Sequence, residues 1–393
     1  MSGDARRYLD LISTGGGQRT LAESAASTAG NAAPAAKTEL IERLEAELTY
    51  VETKTGVVGD QAQTKALFDH AGAALDKLLG DGTAATLTEA DVAGLEAVVV
   101  TDGTRPVLFV EDDFVDLLAP SIGAYAAPIS RLSEEIRTVC RSVGRVDDPA
   151  AAPLGYQGTA WVVGEGLVAT NFHVLQAIAP RGTRVDGQFT GRLNPGVAVH
   201  FGHEVGRPWP ERRFPIRRVV AVGREGSPER VHPVLGGLNF DGLDLAILEL
   251  EPVPGRPFPP PLPVARGDDP VTRGGLATAG RGVYLVGYPG NEQSTTRTLF
   301  TSIFAGVKSY KRLAPGRITA AAGDLADDPR GWILAHDVST LGGNSGSAVV
   351  DLDADGRSVL GLHFAGQPER QNWAHALERI TTELAAVLPA AAR

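Results

Sequence analysis

A serine in a glycine-rich stretch near the C-terminus is the first candidate for chemistry. The sequence there reads HDVSTLGGNSGSAVVDL, in which Ser345 follows Gly343 and Asn344 and precedes Gly346. Residues this small let a turn bring a hydroxyl and several backbone N–H groups close to a bound group. A serine hydroxyl is a weak nucleophile unless a base removes its proton and a third group orients that base. Because a lone Gly-x-Ser-Gly is also common in tight turns, the presence of such partners decides between the two interpretations.

One histidine and one aspartate have the right setting to be those partners. His173 follows two apolar runs joined by a glycine turn, in GTAWVVGEGLVATNFHVL, and Asp244 directly precedes the apolar run LAIL. A carboxylate at the start of a buried strand needs a partner, which a histidine can supply. Asp241 is the rival acid three residues earlier, and we assign it to the loop because no apolar strand follows it directly. A lone histidine among apolar residues is otherwise usually a packed core residue.

The elements around these residues are short β-strands. From about residue 143 onward, brief apolar runs alternate with Gly, Pro and Asp, a pattern typical of an all-β barrel or sandwich. The runs are TAWVV, GLVAT, VAVHF, RVVAV, LDLAILEL, VYLVGY, LFTSIFAGV, SAVVDL and SVLGLHF. The closing segment, NWAHALERITTELAAVL, has the pattern of a helix instead.

The order of the three residues along the chain is informative. His, then Asp, then Ser is one of three convergent orders for this chemistry, and it is the order carried by two-barrel β folds. Several segments resemble the bacterial trypsin-like (chymotrypsin-fold) serine proteases, in the branch of the glutamyl endopeptidases and HtrA-type proteases. They are TAWVVGEGLVATNFHV, LDLAIL, VYLVGYPG and HDVSTLGGNSGSAVVD with GLHFAG. The resemblance covers about residues 143–390.

This resemblance implies a double six-stranded β-barrel with the active site in the cleft between the barrels. It implies that His173 is the general base, Asp244 the orienting carboxylate and Ser345 the nucleophile. The backbone N–H groups of Gly343 and Ser345 would form the oxyanion hole. In digestive enzymes of this fold, an aspartate before the nucleophile pairs with an amino terminus released by proteolysis. Asn344 carries no charge for such a pairing, so we expect a site that is preassembled or controlled by the N-terminal part.

The resemblance also suggests which substrates would fit the S1 pocket. Its walls would be DVSTL and VLGLHFAG, with Ser339 at the bottom, so a P1 Lys or Arg would find no buried carboxylate. Thr340 and His363 match positions that bind the P1 carboxylate in the glutamyl endopeptidases, and a His beside a hydroxyl suits an anion. We therefore expect preference for P1 Glu or Asp. A small apolar P1 is the alternative, if His363 only packs along its strand.

The first 142 residues lie outside the resemblance. Residues 1–37 include the small, aperiodic run TLAESAASTAGNAAPAAK, which predicts a flexible segment. Residues 38–142 carry several amphipathic patterns and are predicted to form a helical accessory or regulatory domain. Within it, Thr88 and Asp91 resemble the N-cap of a short helix that ends before AVVV. The predicted architecture is mainly β: a chymotrypsin-like double-barrel domain over 143–390, preceded by a mainly α N-terminal domain.

Composition excludes several classes of function. Residues 1–150 hold 24 Asp and Glu against 13 Lys and Arg, in a chain of net charge -10, which argues against nucleic-acid binding there. The single cysteine, Cys140, can form no intramolecular disulfide and is predicted to be a small core residue. No apolar run has the length of a membrane span or marks a secretory signal, so a cytoplasmic protein is expected.

Other patterns resemble sites but favour a structural role. His200 and His203, next to Glu204, lack a third metal ligand, so no metal is expected there. DLDADGR, at residues 351–357, is acidic but has the wrong length for a calcium loop and is read as a hairpin turn. His336 lies one strand away from Ser345 and is expected to be packed or to line a wall. No cofactor is implied.

The sequence therefore predicts a serine endopeptidase acting on protein or peptide substrates, with no nucleic-acid or membrane partner. Its N-terminal helical domain is a candidate site for a regulatory partner. The alternative, from another class of function, is a binding or scaffolding module that keeps the barrel fold without turning over peptides. The complete set of His173, Asp244, Ser345 and Gly343 argues against that alternative.

Overall fold

The computed structural model describes residues 5–14, 19–26, 32–185, 188–232, 238–265, 276–290, 307–340, 342–367 and 371–387. The chain divides into two compact units. The helical unit comprises Met1–Phe109, Val115–Arg131 and Glu292–Lys308, and the β unit comprises Val110–Phe114, Leu132–Asn291 and Ser309–Arg393. The N-terminal domain was expected over 38–142, whereas here residues 110–114 and 132–142 group with the β unit.

Helices dominate the described part of the helical unit. They are α1 (Ala5–Leu11), α2 (Leu21–Ala26), α3 (Ala32–Thr55), α4 (Gln61–Asp81), α5 (Glu89–Thr101) and α6 (Ala126–Arg131), with the short strands β1 (Ser13–Thr14) and β2 (Arg19–Thr20). Side chains from α1, α3, α4 and α5 form one apolar core, which includes Tyr8, Leu40, Leu75 and Leu95. Thr88 and Asp91 form a reciprocal capping box at the start of α5, as the sequence predicts.

Two helices of this unit extend beyond their predicted limits. The segment 20–37, expected to be irregular, contains α2 and the start of α3. Thr20 and Glu23 cap each other across the first turn of α2, and Leu21 is fully buried, which explains why so small a segment is ordered as helix. Helix α5 continues through the run AVVV because Val98–Val100 are buried in the core, and packing outweighs the low helix propensity of valine.

The β unit contains a first closed barrel, whose strand order is β10-β11-β12-β7-β6-β5 with β10 returning to β5. The strands are β5 (Val143–Asp147), β6 (Tyr156–Gly164), β7 (Leu167–Thr170), β10 (Ala198–His200), β11 (Arg213–Val222) and β12 (Ala246–Leu250). Helix α8 (Phe172–Ile178) follows β7, and a hairpin of β8 (Thr183–Val185) and β9 (Gln188–Thr190) comes next. The barrel interior is filled by apolar side chains such as Val162, Val199 and Leu248.

A second barrel is formed by strands in the order β13-β16-β17-β18-β15-β14, and β14 closes it by pairing with β13. The strands are β13 (Gly282–Gly287), β14 (Arg312–Ala320), β15 (Ile333–His336), β16 (Ala348–Asp351), β17 (Val359–Gln367) and β18 (Gln371–Ala376). The two closed barrels of six strands confirm the predicted fold class.

The remaining elements lie outside the barrels. Helix α7 (Ser133–Ser142) leads into β5, and α9 (Thr381–Val387) follows β18. The short strands β3 (Leu108–Glu111) and β4 (Phe114–Val115) lie where the chain passes between the two units. In the β unit, the N–H of Val110 donates to the carbonyl of Lys311 at 3.1 Å. Cys140 is fully buried on α7, which confirms its prediction as a core residue.

The sequence pattern was wrong for one segment of the β unit. Residues 372–376, predicted as the start of a helix, belong to β18, because this segment pairs with both β15 and β17. Helices α6 and α7 are separated by the single residue Leu132. The predicted strand LFTSIFAGV lies outside the described residues except for Val307, and the loop DLDADGR is the expected connection between β16 and β17.

Candidate active site

His173 and Asp244 make two hydrogen bonds to each other. Strand β7 pairs with β12, with Thr170 opposite Ala246, so the residues that flank this pair are neighbours. His173 lies in the first turn of α8, just after Thr170, and Asp244 lies just before β12. The His173 Nδ1 is 2.6 Å from Asp244 Oδ2, and the His173 backbone N–H donates to Oδ1 at 3.0 Å. Both carboxylate oxygens are thus directed at the same residue.

The charges of this pair stabilise each other. The His173 side chain is 44% exposed, and its partial desolvation lowers its pKa, but the charge and hydrogen bond of Asp244 outweigh this effect and raise that pKa above its usual value. Burial raises the pKa of Asp244, but His173 outweighs it and holds that pKa below its usual range. Asp244 is therefore ionised at neutral pH. With its Nδ1 hydrogen bonded to Asp244, neutral His173 keeps an unprotonated Nε2 that can accept a proton.

The backbone of Asp244 is held on both sides. Its carbonyl accepts a hydrogen bond from Asn171 Nδ2 at 2.9 Å, and its N–H donates to His375 Nε2 at 3.0 Å. Asn171 is fully buried at the N-terminus of α8, and His375 lies on β18 of the second barrel. The position of the carboxylate is thus fixed by groups from both barrels.

Ser345 lies in a tight loop before β16, residues 342–347, which is fastened to the first barrel. Thr159 on β6 makes two of these bonds: its N–H donates to the Ser345 carbonyl at 2.9 Å, and its Oγ1 donates to the Gly343 carbonyl at 2.8 Å. On the other side, the N–H of Gly346 donates to the carbonyl of His363 at 2.9 Å. Thr159 therefore fixes the position of the Ser345 loop relative to the barrel next to His173.

Two positions of this loop require glycine. Gly343 has φ 99°, and a Cβ there would lie 2.3 Å from the carbonyl oxygen of Tyr288. Gly346 has φ 87°, and a Cβ there would lie 2.1 Å from the carbonyl oxygen of Thr159. Among the described residues, the N–H groups of Gly343 and Ser345 donate to no acceptor, so both are free to bind an oxyanion.

The Ser345 loop and α8 approach each other at Gly158. A Cβ on Gly158 would lie 2.7 Å from Val174 Cγ2 and 3.0 Å from the Ser345 carbonyl oxygen. Gly158 thus lies between the residue after His173 and the backbone of Ser345. Within the described part of the chain, Ser345 Oγ makes no hydrogen bond to His173 or to any other group. Such contacts often tighten only in the complex with substrate.

His363 lies on β17 next to a second buried histidine. Its side chain is buried, and its Nδ1 is 3.2 Å from Nε2 of His336, which is fully buried on β15. Burial, together with the nearby charge of His173, lowers the pKa of His363 to about 3. Burial and His363 hold the pKa of His336 well below its usual value. Both rings are therefore neutral, and one donates the shared proton while the other accepts it.

Thr340 and Ser339 precede the Ser345 loop and are half-buried. Thr340 Oγ1 donates to Asn372 Oδ1 at 2.5 Å, and Asn372 Nδ2 donates to the carbonyl of Val338 at 2.7 Å. Asn372 on β18 therefore holds the segment that carries Thr340. Both side chains lie close to Gly366 on β17, where a Cβ would lie 2.1 Å from Asn372 Oδ1 and 3.4 Å from Thr340 Oγ1.

Comparison with known protein families identifies the family of this chain. A family model described as "Trypsin-like peptidase domain" matches residues 158–362, which contain His173, Asp244, Ser345 and most of both barrels. The chain belongs to the trypsin-like peptidase family. The match confirms the resemblance to trypsin-like serine proteases that the sequence motifs carried. The family also implies that the substrates of this peptidase are proteins or peptides.

Individual known proteins are also similar to this trypsin-like peptidase. A "probable serine protease" of Lysobacter enzymogenes is 28% identical in an alignment of 393 positions, which covers 94% of this chain and 94% of the relative. Two solved structures are similar to part of the chain. The Rv3671c protease from M. tuberculosis, in its active form, has a TM-score of 0.37 and 21% identity, covering 66% of this chain and 86% of its own. The structure of HBP has a TM-score of 0.40 and 13% identity, covering 64% and 92%.

The other residues singled out from the sequence lie in structural contacts. Asp241 accepts a hydrogen bond from the N–H of Ser227 at 2.9 Å and pairs with Arg330 at 2.8 Å, as a loop residue should. His200 Nε2 lies 3.1 Å from the carbonyl oxygen of Trp209, and the His203 ring stacks on Tyr310. Within the described ranges, no group of three or more His, Cys, Asp or Glu side chains could hold a metal ion.

None of the helices that the structure describes combines the length and the apolar character needed to cross a membrane.

Sequence reasoning missed three residues that shape this site. Asn372 and His375 lie in the segment predicted to be a helix, so their contacts as residues of a paired strand could not be foreseen. Asn171 was not singled out, although an asparagine directly before a helix is a usual N-cap residue. Its contact is to Asp244, 73 positions away along the chain, and no local pattern could reveal that.

Proposed function

We propose that this trypsin-like peptidase is a serine endopeptidase that cleaves peptide bonds through an acyl-enzyme on Ser345. The observation that carries the proposal is the two-point contact between His173 and Asp244, which fixes the tautomer and direction of the imidazole. The glycine-shaped loop around Ser345 supports it, because this loop offers two free N–H groups beside a serine.

The mechanism follows from these groups. Ser345 Oγ attacks the carbonyl carbon of the scissile bond while its proton passes to His173 Nε2. The negative charge on the carbonyl oxygen is bound by the N–H groups of Gly343 and Ser345. Collapse of the tetrahedral intermediate breaks the C–N bond, and His173 gives its proton to the leaving amine. Water, deprotonated by His173, then hydrolyses the acyl-enzyme and restores Ser345.

A fluorophosphonate probe tests the proposal directly. Full-length protein should be labelled, Ser345→Ala should not, and Ser227→Ala, at an exposed serine, should be labelled at the rate of the unaltered protein. Mass spectrometry of the labelled peptide should place the adduct on Ser345. If the folded, unaltered protein is not labelled and cleaves no peptide, the chain is better explained as a binding or scaffolding module with a peptidase fold.

For substrate preference, the proposal is P1 Glu or Asp, bound by His363 and Thr340. The support comes from two features. The neutral His363 ring is backed by His336, which can accept or supply a proton as an anion enters. Ser339 brings no carboxylate to this region, so nothing there favours a P1 Lys or Arg. A carboxylate next to His363 would raise the pKa of its imidazole and gain a charge-assisted hydrogen bond.

Peptides that differ only at P1 decide this preference. We expect kcat/KM for P1 Glu to exceed that for P1 Gln by about 10-fold or more, since the two side chains differ by one charge. In His363→Leu, the Glu-to-Gln ratio should fall to about 1, while cleavage after an apolar P1 is retained. A highest kcat/KM for P1 Leu, Val or Ala in the unaltered protein would contradict the acidic preference.

We also propose that the helical unit controls access to or assembly of the peptidase site. Support comes from Asn344, which is uncharged and so cannot be switched by pairing with a released amino terminus. A protease recognition sequence inserted next to Leu118, whose side chain is highly exposed, allows the full chain to be cut after folding. We expect the labelling rate to change after the cut. An unchanged rate, with both fragments separated, would show that the site works without the part of the chain that precedes the cut, which holds most of the helical unit and the segment Val110–Phe114 of the β unit.

A further inference from the structure

His375 is a buried titratable group that the mechanism above does not use. It lies on β18 of the second barrel, yet its Nε2 accepts the backbone N–H of Asp244 from the first barrel at 3.0 Å. Its partners in the sheet, Leu362 on β17 and Ile333 on β15, hold it through backbone pairing on both sides. The bond therefore links a strand inside one barrel to the loop that carries the carboxylate of the other.

The chemistry of this bond dictates the state of the His375 ring. A backbone N–H can only donate, so Nε2 must be unprotonated and the ring proton must be on Nδ1. Burial lowers the pKa of His375 to about 4, although the charge of Asp244 raises it, so the ring is neutral at working pH. Nδ1 finds no hydrogen-bond partner among the described residues. The hydrogen bond that Nε2 accepts from Asp244 is therefore the one described hydrogen bond of this ring.

An aromatic cluster fixes the plane of the ring. Phe364 stacks on His375 with 4.4 Å between ring centroids and 18° between planes. Phe240 contacts Phe364 edge-on and also packs on Trp373. Because Phe240 lies four residues before Asp244, the same loop is attached to β17 and β18 twice, once through an apolar contact and once through the His375 bond.

We propose that His375 is a positioning residue for the proposed catalytic pair. By accepting the Asp244 N–H, His375 fixes the position and orientation of the Asp244 backbone, so that both carboxylate oxygens reach His173. This inference rests on the proposed function, since it assigns His375 to the geometry of the same site. His375 touches neither substrate nor the reacting atoms, and it acts only through Asp244.

Two substitutions of similar volume separate this role from simple packing. In His375→Gln, the amide oxygen reaches the place of Nε2 and can accept the Asp244 N–H; in His375→Met, no comparable acceptor remains. The measurement is the rate of fluorophosphonate labelling of the full chain from pH 5 to pH 9. Displacement of a catalytic group by about 1 Å costs up to about 100-fold, so we expect His375→Met to lower the plateau rate 10-fold to 100-fold. His375→Gln should stay within about 3-fold of the unaltered protein, by the same reasoning.

The midpoint of the pH profile is the quantity that a simple loss of side-chain packing at His375 would not change. Labelling requires neutral His173, whose pKa is raised by the Asp244 carboxylate. A misplaced carboxylate raises it less, so the midpoint of the profile should move to lower pH in His375→Met and return in His375→Gln. If His375→Met keeps the rate and midpoint of the unaltered protein, or if His375→Gln is impaired as much as His375→Met, the positioning role is wrong.

A measurement on the unaltered protein keeps the proposal testable even if a variant does not fold. In a histidine-¹⁵N-labelled sample, the His375 ring should show the neutral tautomer with its proton on Nδ1 at pH 7. A proton on Nε2 would overturn the inference, because the bond to Asp244 could not then exist. Failure of the proposed function has a different outcome: the unaltered protein itself would not be labelled.

Discussion

At the scale of single residues, Asn344 places a neutral amide directly before Ser345. Its side chain is 2% exposed, and its Oδ1 has no hydrogen-bond partner in the described part of the chain. Gly287 lies against it, since a Cβ there would come within 2.4 Å of Asn344 Oδ1. Among the described residues, no donor reaches this oxygen, so a negative charge placed there would be buried without a hydrogen-bond partner.

Asn344→Asp should therefore destabilise the protein in a pH-dependent way. A buried carboxylate without a cation has a raised pKa in the folded state, so the folded protein binds more protons than the unfolded chain above about pH 4. Its free energy of unfolding should fall as pH rises, by about 3 kcal/mol at pH 8 relative to the unaltered protein. Thermal unfolding at pH 5 and pH 8 measures this.

Asn344→Leu is the matched control, because it removes the amide without adding charge and should show the same deficit at both pH values. A variant Asn344→Asp that is as stable as the unaltered protein at pH 8 would mean that a cation reaches this pocket.

Asp244→Asn tests the electrostatic part of the candidate pair. Without the carboxylate, the charge that raises the pKa of His173 is lost, so the midpoint of the pH–activity profile should move to lower pH. The plateau of kcat should fall by about 10⁴-fold, since the amide favours the wrong tautomer of the imidazole. Asp241→Asn is the comparison, because Asp241 pairs with Arg330 and not with His173. Equal losses from both substitutions would contradict the assignment of Asp244.

At the scale of elements, the Ser345 loop joins the barrels through glycines that no other residue can replace. Gly343→Ala would place a methyl group 2.3 Å from the Tyr288 carbonyl oxygen at a φ of 99°. The loop must then move, and with it one donor of the proposed oxyanion hole, so kcat should fall by about 10²–10³-fold. Steady-state kinetics with an unchanged KM would show that the loss is confined to the transition state.

Gly255→Ala is a matched control for backbone strain. Gly255 also has a positive φ, of 76°, but a Cβ there would contact nothing within 4 Å. We expect it to cost about 1–2 kcal/mol of stability and no activity. If Gly343→Ala loses no more activity than Gly255→Ala, the backbone of Gly343 has no part in the reaction.

An element could be predicted from the sequence when the residues that determine it are close together along the chain. His173 and Asp244 each sit beside apolar strands that are recognisable locally, and Ser345 sits in a loop whose glycines are demanded by local conformation. Strand β18 could not be recognised, because NWAHAL resembles the start of a helix until β15 and β17 pair with it on both sides. The same limit hid His375, whose partner Asp244 is 131 positions away. Local pattern thus predicts the proposed reacting groups, while long-range pairing supplies the groups that hold them.

At the scale of the whole molecule, a buried ion pair links distant parts of the β unit. Lys311 and Glu204 are both fully buried and 2.9 Å apart. Lys311 Nζ also donates to the carbonyls of Cys140 on α7 and Phe201 after β10, so each of its three N–H groups has an acceptor. Glu204 accepts the N–H of Asp113, whose carboxylate pairs with Arg212 and Arg141.

This arrangement should make the β unit unfold as one body with Lys311 at its centre. Lys311→Met leaves the Glu204 carboxylate buried without its cation, which should cost about 3–5 kcal/mol. All four tryptophans of the chain lie in the β unit, so fluorescence during urea denaturation of the full chain follows that unit alone. The double variant Lys311→Met with Glu204→Gln should be less destabilised than the single one, because it removes the stranded charge. If the double variant loses the sum of the two single effects, the ion pair does not couple these elements, and the segment Val110–Phe114 must be held to the β unit by its apolar contacts.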